Sequence, residues 1–300
     1  MYILSEKQLN SPEYLSCLHT ILKSKLMTVP QENLCEIRIR RSKPIILHYT
    51  DGFSYLSRDG GKTSDRQTAY TANSKDISRI LENAFEFSLY AHEDELSQGY
   101  ITIRGGHRIG ICGETKNGKF RNLNDISSLN YRIAHEHIGI SDNIKNDIIN
   151  EHHINNTLII SPPMCGKTSL LRDIVRMLSY EGFKVGVCDS RCEIAAIHDG
   201  VPYMDIADAD ILSGTSKSDG INMLLRTMSP DVIACDEIGT HADIEAISEA
   251  FGCGCAIIAT AHCLSRDELY SKKTFSKIVS HFNLIITLSE NFKIKEVYHA

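Results

Sequence analysis

The chain has 300 residues, 42% of them hydrophobic and 23% charged, with a formal net charge of −6 at pH 7. That is enough apolar material for a sizeable core and two domains, which excludes a disordered chain. The acidic balance argues against a broad nucleic-acid footprint. No apolar run reaches the ~18 residues that a membrane-spanning helix needs, and the N-terminal MYILSEKQLNSPEYL lacks the basic and apolar regions of a secretory signal.

The stretch up to about Gln31 reads as helical and turns at Pro30. Residues 35–40 (CEIRIR) alternate apolar and charged, the period of a strand with one face in water. Residues 44–49 read as its neighbour and 57–68 as a polar loop. From Ser74 to about Leu89, Ile77, Ile80, Leu81, Ala84 and Phe85 share one helical face. Residues 100–104 and 107–112 flank Gly105-Gly106, a pair suited to the positive φ angles of a tight hairpin turn. With a strand at 129–134, these elements predict a small α+β domain over 1–135. The His-, Asn- and Asp-rich stretch 136–156 is expected to connect it to a second domain at 157–300.

That second domain opens on the most informative stretch. Residues 157–160 read as a buried strand, and Leu170, Leu171, Ile174, Val175 and Leu178 recur at helical spacing. Between them, Ser161-Pro162-Pro163-Met164-Cys165-Gly166-Lys167-Thr168-Ser169 matches the phosphate-loop pattern at Gly166, Lys167 and Thr168, with Ser161 in place of the first glycine. The backbone N–H groups of such a loop, with the helix N-terminus behind them, bind anionic oxygens. Lys167 is expected on the β and γ phosphates of ATP, and the Thr168 hydroxyl on Mg²⁺.

Strand-like runs then alternate with helical ones, predicting a mainly parallel sheet wrapped by helices, with chemistry at the carboxyl ends of its strands. Residues 184–188 form such a run, leading to Arg191 and Glu193 as candidates. Residues 230–235 form another and deliver Asp236 and Glu237, a Walker B pattern in which Asp236 serves Mg²⁺ and Glu237 the attacking water. A run at 255–260 ends near His262, where a polar group can sense the γ phosphate. Residues 282–288 and 292–297 read as a closing pair. The ten cysteines include Cys253, Cys255 and Cys263, close to His262, but their spacing matches no paired zinc motif, so they read as free thiols or small hydrophobes.

EIRIR (36–40), ITIRGGHRIGICGE (101–114), LNYRIAHE (129–136), LIISPPMCGKTSLLRDIVR (158–176), MSPDVIACDEIG (228–239) and ATAHC (259–263) together resemble the stage III sporulation protein AA family. Its relatives are the secretion and pilus-motor ATPases of type II and type IV systems. Ser190 departs from that family's pattern, which has an acidic residue there. The resemblance implies a RecA-like P-loop ATPase domain behind the α+β domain, using ATP and Mg²⁺. It implies a cytoplasmic homo-hexamer in the mother cell, peripheral at the membrane facing the forespore and bound to membrane-embedded channel proteins. It also implies that arginines of the N-terminal domain, Arg104, Arg108 or Arg132, reach nucleotide in trans. Two other readings remain: a nucleotide-gated scaffold with little hydrolysis, and a nucleic-acid motor.

Overall fold

The computed structural model describes residues 13–85, 99–116, 120, 122–151, 153–163, 165–197, 200–289 and 293–300. It divides into two compact units, 1–135 and 136–300.

In the first unit, strands β1 (Leu34–Arg40), β2 (Ile46–Tyr49), β3 (Gly52–Leu56), β4 (Lys62–Thr63), β5 (Tyr100–Ile103), β6 (His107–Gly113) and β7 (Ile126–Arg132) form one sheet, in the order β4-β3-β2-β1-β7-β6-β5. Every pairing is antiparallel. The alternation in β1 does what its period requires: Leu34, Ile37 and Ile39 are buried and the residues between them are half-exposed. The buried face packs on helices α1 (Thr20–Leu26) and α2 (Ser74–Ala84), through Leu22, Leu26, Ile77 and Leu81. Asn73 and Asp76 cap α2 reciprocally. The expected continuation of α2 to Leu89 lies outside the described residues. At the β5–β6 turn Gly105 and Gly106 have φ of 81° and 70°, the mirror-image turn that suits strand twist. Strand β3 and the short β4 are additions to the sequence reading.

The second unit begins with α3 (Lys145–Ile148) and the small ladder β8 (Ile149–Asn150) with β9 (His153–Ile154). The stretch expected as a connection therefore belongs to this unit, and its Ile144 and Ile148 enter the unit's core. The main sheet comprises β10 (Thr157–Ser161), β11 (Val185–Asp189), β12 (Asp210–Ser213), β13 (Val232–Cys235), β14 (Ala256–His262), β15 (Leu284–Leu288) and β16 (Ile294–His299), in the order β12-β11-β13-β14-β10-β15-β16. All neighbours are parallel except β15 and β16.

Both faces are covered, which is why the central strands read as unbroken apolar runs. Leu158 and Ile160 point to one core, shared with α5 (Lys217–Thr227), α6 (His241–Gly252) and α7 (Arg266–Ser271). Ile159 points to the other, shared with α4 (Lys167–Tyr180). Parallel order brings the carboxyl ends of β10, β11, β13 and β14 to one edge of the sheet. The candidate residues of the second half that fall among the described residues lie there.

Candidate functional site

At the end of β10 the chain turns through the proline pair into α4, whose N-cap is Gly166 at φ 92°. A side chain is rarely tolerated at that angle, so the glycine is required. Pro162 is half-buried, Pro163 exposed and Cys165 buried, while Met164 lies outside the described residues. Thr168 and Ser169 follow Lys167 in the first turn of α4, both half-buried.

Lys167 is 7% exposed. Its Nζ donates to the Ser161 carbonyl (3.0 Å), Ser161 Oγ (3.2 Å) and the Pro162 carbonyl (3.0 Å). Nδ1 of His262 is 3.1 Å away. Ser161 and His262 are register partners of the parallel pair β10–β14, so this meeting follows from strand order. Burial lowers the lysine pKa from its ordinary value, against the opposing pull of Cys165, Glu237 and Cys263.

The three N–H groups of the ammonium are shared among these four acceptors; an ammonium only donates, so in this contact His262 Nδ1 accepts and Nε2 is the nitrogen left to donate. That Nε2 is 3.2 Å from Glu237 Oε1. The other carboxylate oxygen of Glu237 accepts from Arg191 at 2.7 Å. Lys167, His262, Glu237 and Arg191 thus form a continuous polar chain across four strand ends.

Glu237 has φ 36°, a sparsely populated angle for a side chain with a Cβ. Its N–H donates to Thr260 Oγ1 (2.7 Å), and the next N–H, of Ile238, to the Thr260 carbonyl (2.8 Å). Thr260, 1% exposed on β14, holds this turn in place. The turn is what lets two adjacent carboxylates face different surroundings. Asp236 is 3% exposed, and its Oδ1 accepts no hydrogen bond. Burial pushes its pKa up to about 6, although the charge of Lys217, 3.5 Å from that oxygen, pulls it down. A buried carboxylate oxygen with open lone pairs, one residue past a strand end, fits an oxygen-ligated Mg²⁺.

The loop after β11 is pinned from both sides. Asp189, fully buried, accepts from the N–H groups of Glu193 (2.9 Å), Ile194 (3.0 Å) and Ala195 (2.9 Å). Arg172, from α4, donates to the carbonyls of Glu193 and Ile194. This ties the phosphate-loop helix to the loop that carries Arg191. The Glu193 backbone N–H and carbonyl are both part of this lock. Arg191, Glu237, His262 and Lys217 line a cavity of about 720 Å³.

Sequence reasoning missed Asp189, Arg172, Thr260 and Lys217. Asp189 was visible as a carboxylate at a strand end; the other three carry no local signal. In the first unit, Arg104 is exposed at the β5–β6 turn, Arg108 stacks on Tyr100 (5.0 Å to the ring centre), and Arg108 and Arg132 are cross-strand partners. Cys255 and Cys263 are buried and Cys253 exposed; among the described residues no group of three or more His, Cys, Asp or Glu is placed to share a metal. Among those residues, too, no helix is long and apolar enough to cross a membrane.

The family model described as "Sporulation stage III, protein AA" matches residues 8–299. The chain belongs to that family. A Bacillus subtilis (strain 168) member, "Stage III sporulation protein AA", is 35% identical over 268 residues, covering 86% of this chain and 83% of that one. Among solved structures, the pilus retraction motor PilT with bound ADP superposes with a TM-score of 0.58 at 13% identity, over 89% of this chain and 76% of that one. The Legionella pneumophila ATPase DotB gives 0.55 at 18%, over 85% and 72%. This sporulation stage III AA family member therefore has the fold of the P-loop secretion ATPases, an N-terminal domain followed by a RecA-like one.

Proposed function

We propose that this family member is an ATP-hydrolysing motor that energises a secretion-like channel complex between mother cell and forespore. The observation that carries the reading is the polar chain from Lys167 through His262 to Glu237, beside the open oxygen of Asp236. Lys167 binds the β and γ phosphates by leaving its carbonyl cage, with the backbone N–H groups of the loop around Gly166. Thr168 and Asp236 hold Mg²⁺. The metal, when bound, neutralises charge on the phosphate oxygens and orients them. Glu237 accepts a hydrogen bond from the attacking water and aims it, and His262 and Arg191 fix that carboxylate in place. Because His262 touches both Lys167 and Glu237, a phosphate that draws Lys167 away takes the cation from the ring that holds the carboxylate. Hydrolysis is thereby linked to occupancy of the loop.

The assembly we propose is a homo-hexamer, peripheral at the mother-cell membrane through channel partners. The fold shared with the pilus retraction motor PilT and the ATPase DotB supports it, as does the family's place in sporulation.

Glu237→Gln tests the reading. The substitution keeps size and most hydrogen bonding but removes the charge that polarises water. Mg²⁺–ATP affinity, measured by calorimetry, should stay near that of the parent, while turnover falls by roughly 10²–10⁴-fold, the usual worth of a positioned acid or base. Parent-like turnover in the variant would assign the catalytic carboxylate elsewhere. A parent without turnover, even when assembled, would favour a nucleotide-gated scaffold.

A further inference from the structure

Lys217 has no part in that mechanism, yet it is the cation nearest to Asp236 among the described ion pairs. It is the first residue of α5, its side chain is 12% exposed, and its Nζ stands 3.5 Å from Asp236 Oδ1. A lysine that secures a carboxylate donates to it at about 2.7–2.9 Å. This one is close enough to neutralise charge and too far to occupy the lone pairs, so the oxygen still accepts no hydrogen bond.

The helix start is anchored. Ser216 caps it, the Cys188 thiol donates to the Lys217 carbonyl (3.6 Å), and Gly220 lies against Cys188 with no room for a Cβ. The side chain alone has space, because Lys217 also lines the cavity shared with Arg191, Glu237 and His262. A divalent cation on Asp236 would meet the ammonium at a few ångströms, where like charges in a half-buried site repel strongly. One of the two must yield, and the cavity gives the lysine somewhere to go.

We propose that Lys217 is a resident counter-ion of Asp236 that competes with the divalent cation for this carboxylate and turns into the cavity when metal binds. The proposal rests on Asp236 being the metal-holding carboxylate. Lys217 is then a positioning residue: it keeps a buried carboxylate aimed before metal arrives, and it weakens metal binding while it stays.

The test is Mn²⁺ binding to the full chain at pH 8 without nucleotide, followed by electron paramagnetic resonance. Lys217→Met should bind Mn²⁺ roughly 5–10-fold more tightly than the parent, since the competing charge is gone. Lys217→Arg, which keeps the charge, should bind like the parent. If Lys217→Met does not fold, Lys217→Gln should show the same tightening. Affinity equal to or weaker than the parent's in the folded neutral variant, or no binding in either, overturns the proposal; the lysine then only packs or orients Asp236. Asp236→Asn separates the two claims. If it binds Mn²⁺ as well as the parent, the metal assignment itself is wrong and the competition falls with it. If it loses the ion while Lys217→Met is unchanged, only the competition fails.

Discussion

Glu237 departs from ordinary backbone geometry because Thr260 captures its N–H, and the same contact separates the tasks of two neighbouring carboxylates. Asp236 is turned into the sheet edge, where burial raises its pKa and leaves an oxygen open. Glu237 is turned towards Arg191 and His262. Lys167 is the residue on which nucleotide binding depends. Its four polar contacts are with the strand end, the first proline and His262, so it is already held at the mouth of the loop. Replacing it with alanine removes a charge-assisted contact to phosphate. ATP affinity measured by calorimetry should fall roughly 10- to 100-fold. Unchanged affinity in Lys167→Ala would show that the loop is not a phosphate site.

Helices α4 and α5 are held to the sheet by contacts with opposite tolerances. In α5, a Cβ built on Gly220 would lie 2.5 Å from Cys188 Sγ and 3.1 Å from Thr215 Cγ2. Gly→Ala in an open helix gains ~1 kcal/mol, and forcing a methyl into packed space costs ~1–3 kcal/mol. With Sγ at 2.5 Å the clash should win, so Gly220→Ala lowers the unfolding free energy in urea by up to about 2 kcal/mol. Cys188→Ala in the same chain should restore part of the loss.

In α4, Asp173 accepts from the Gly139 and Ser141 N–H groups (3.0 and 2.7 Å), from Ser141 Oγ (2.7 Å) and from Arg176 (2.8 Å). Burial alone would raise its pKa; the Ser141, Gly139 and Arg176 contacts outweigh that and hold it below the ordinary 3.8. A depressed carboxylate contributes stability above its unfolded pKa and loses it as pH falls through the folded one. Asp173→Asn should therefore cost about 1–3 kcal/mol at pH 7. The gap between parent and variant should begin to narrow near pH 3.8 and close once pH has fallen through the lower pKa of the folded carboxyl. Urea titrations across pH 2–7 would show a constant gap if the carboxylate charge were irrelevant.

For the whole molecule, the proposed trans arginines make a claim about assembly. Arg104, Arg108 and Arg132 lie on the first unit's hairpin and on its strands β6 and β7, and the catalytic candidates lie in the second. If an arginine of one subunit completes the site of the next, turnover per subunit should rise with protein concentration as rings form. An arginine that stabilises charge on the transferring phosphoryl group is typically worth ~10³–10⁵ in rate. Activity and oligomer size measured over the same dilution series decide it. A rate per subunit that stays flat through assembly would show that each site is complete within one chain.

The sequence by itself determined what depends on near neighbours along the chain. Alternation located β1, the glycine pair located the β5–β6 turn, and the apolar runs located the central parallel strands, because burial period is written residue by residue. Gly166-Lys167-Thr168 and Asp236-Glu237 were legible for the same reason, each being a short motif beside its own strand. Strand β12 was not: a half-buried edge strand of four residues carries no complete apolar run. Nor was the wiring of the candidate site. Lys167 meets His262 across 95 residues and Arg191 meets Glu237 across 46, pairings set by which parallel strands lie side by side. The buried open oxygen of Asp236 and the cation beside it also follow from that strand order and from the packing of α5. Only the tertiary structure decided them, because desolvation and charge proximity depend on what surrounds a residue in space.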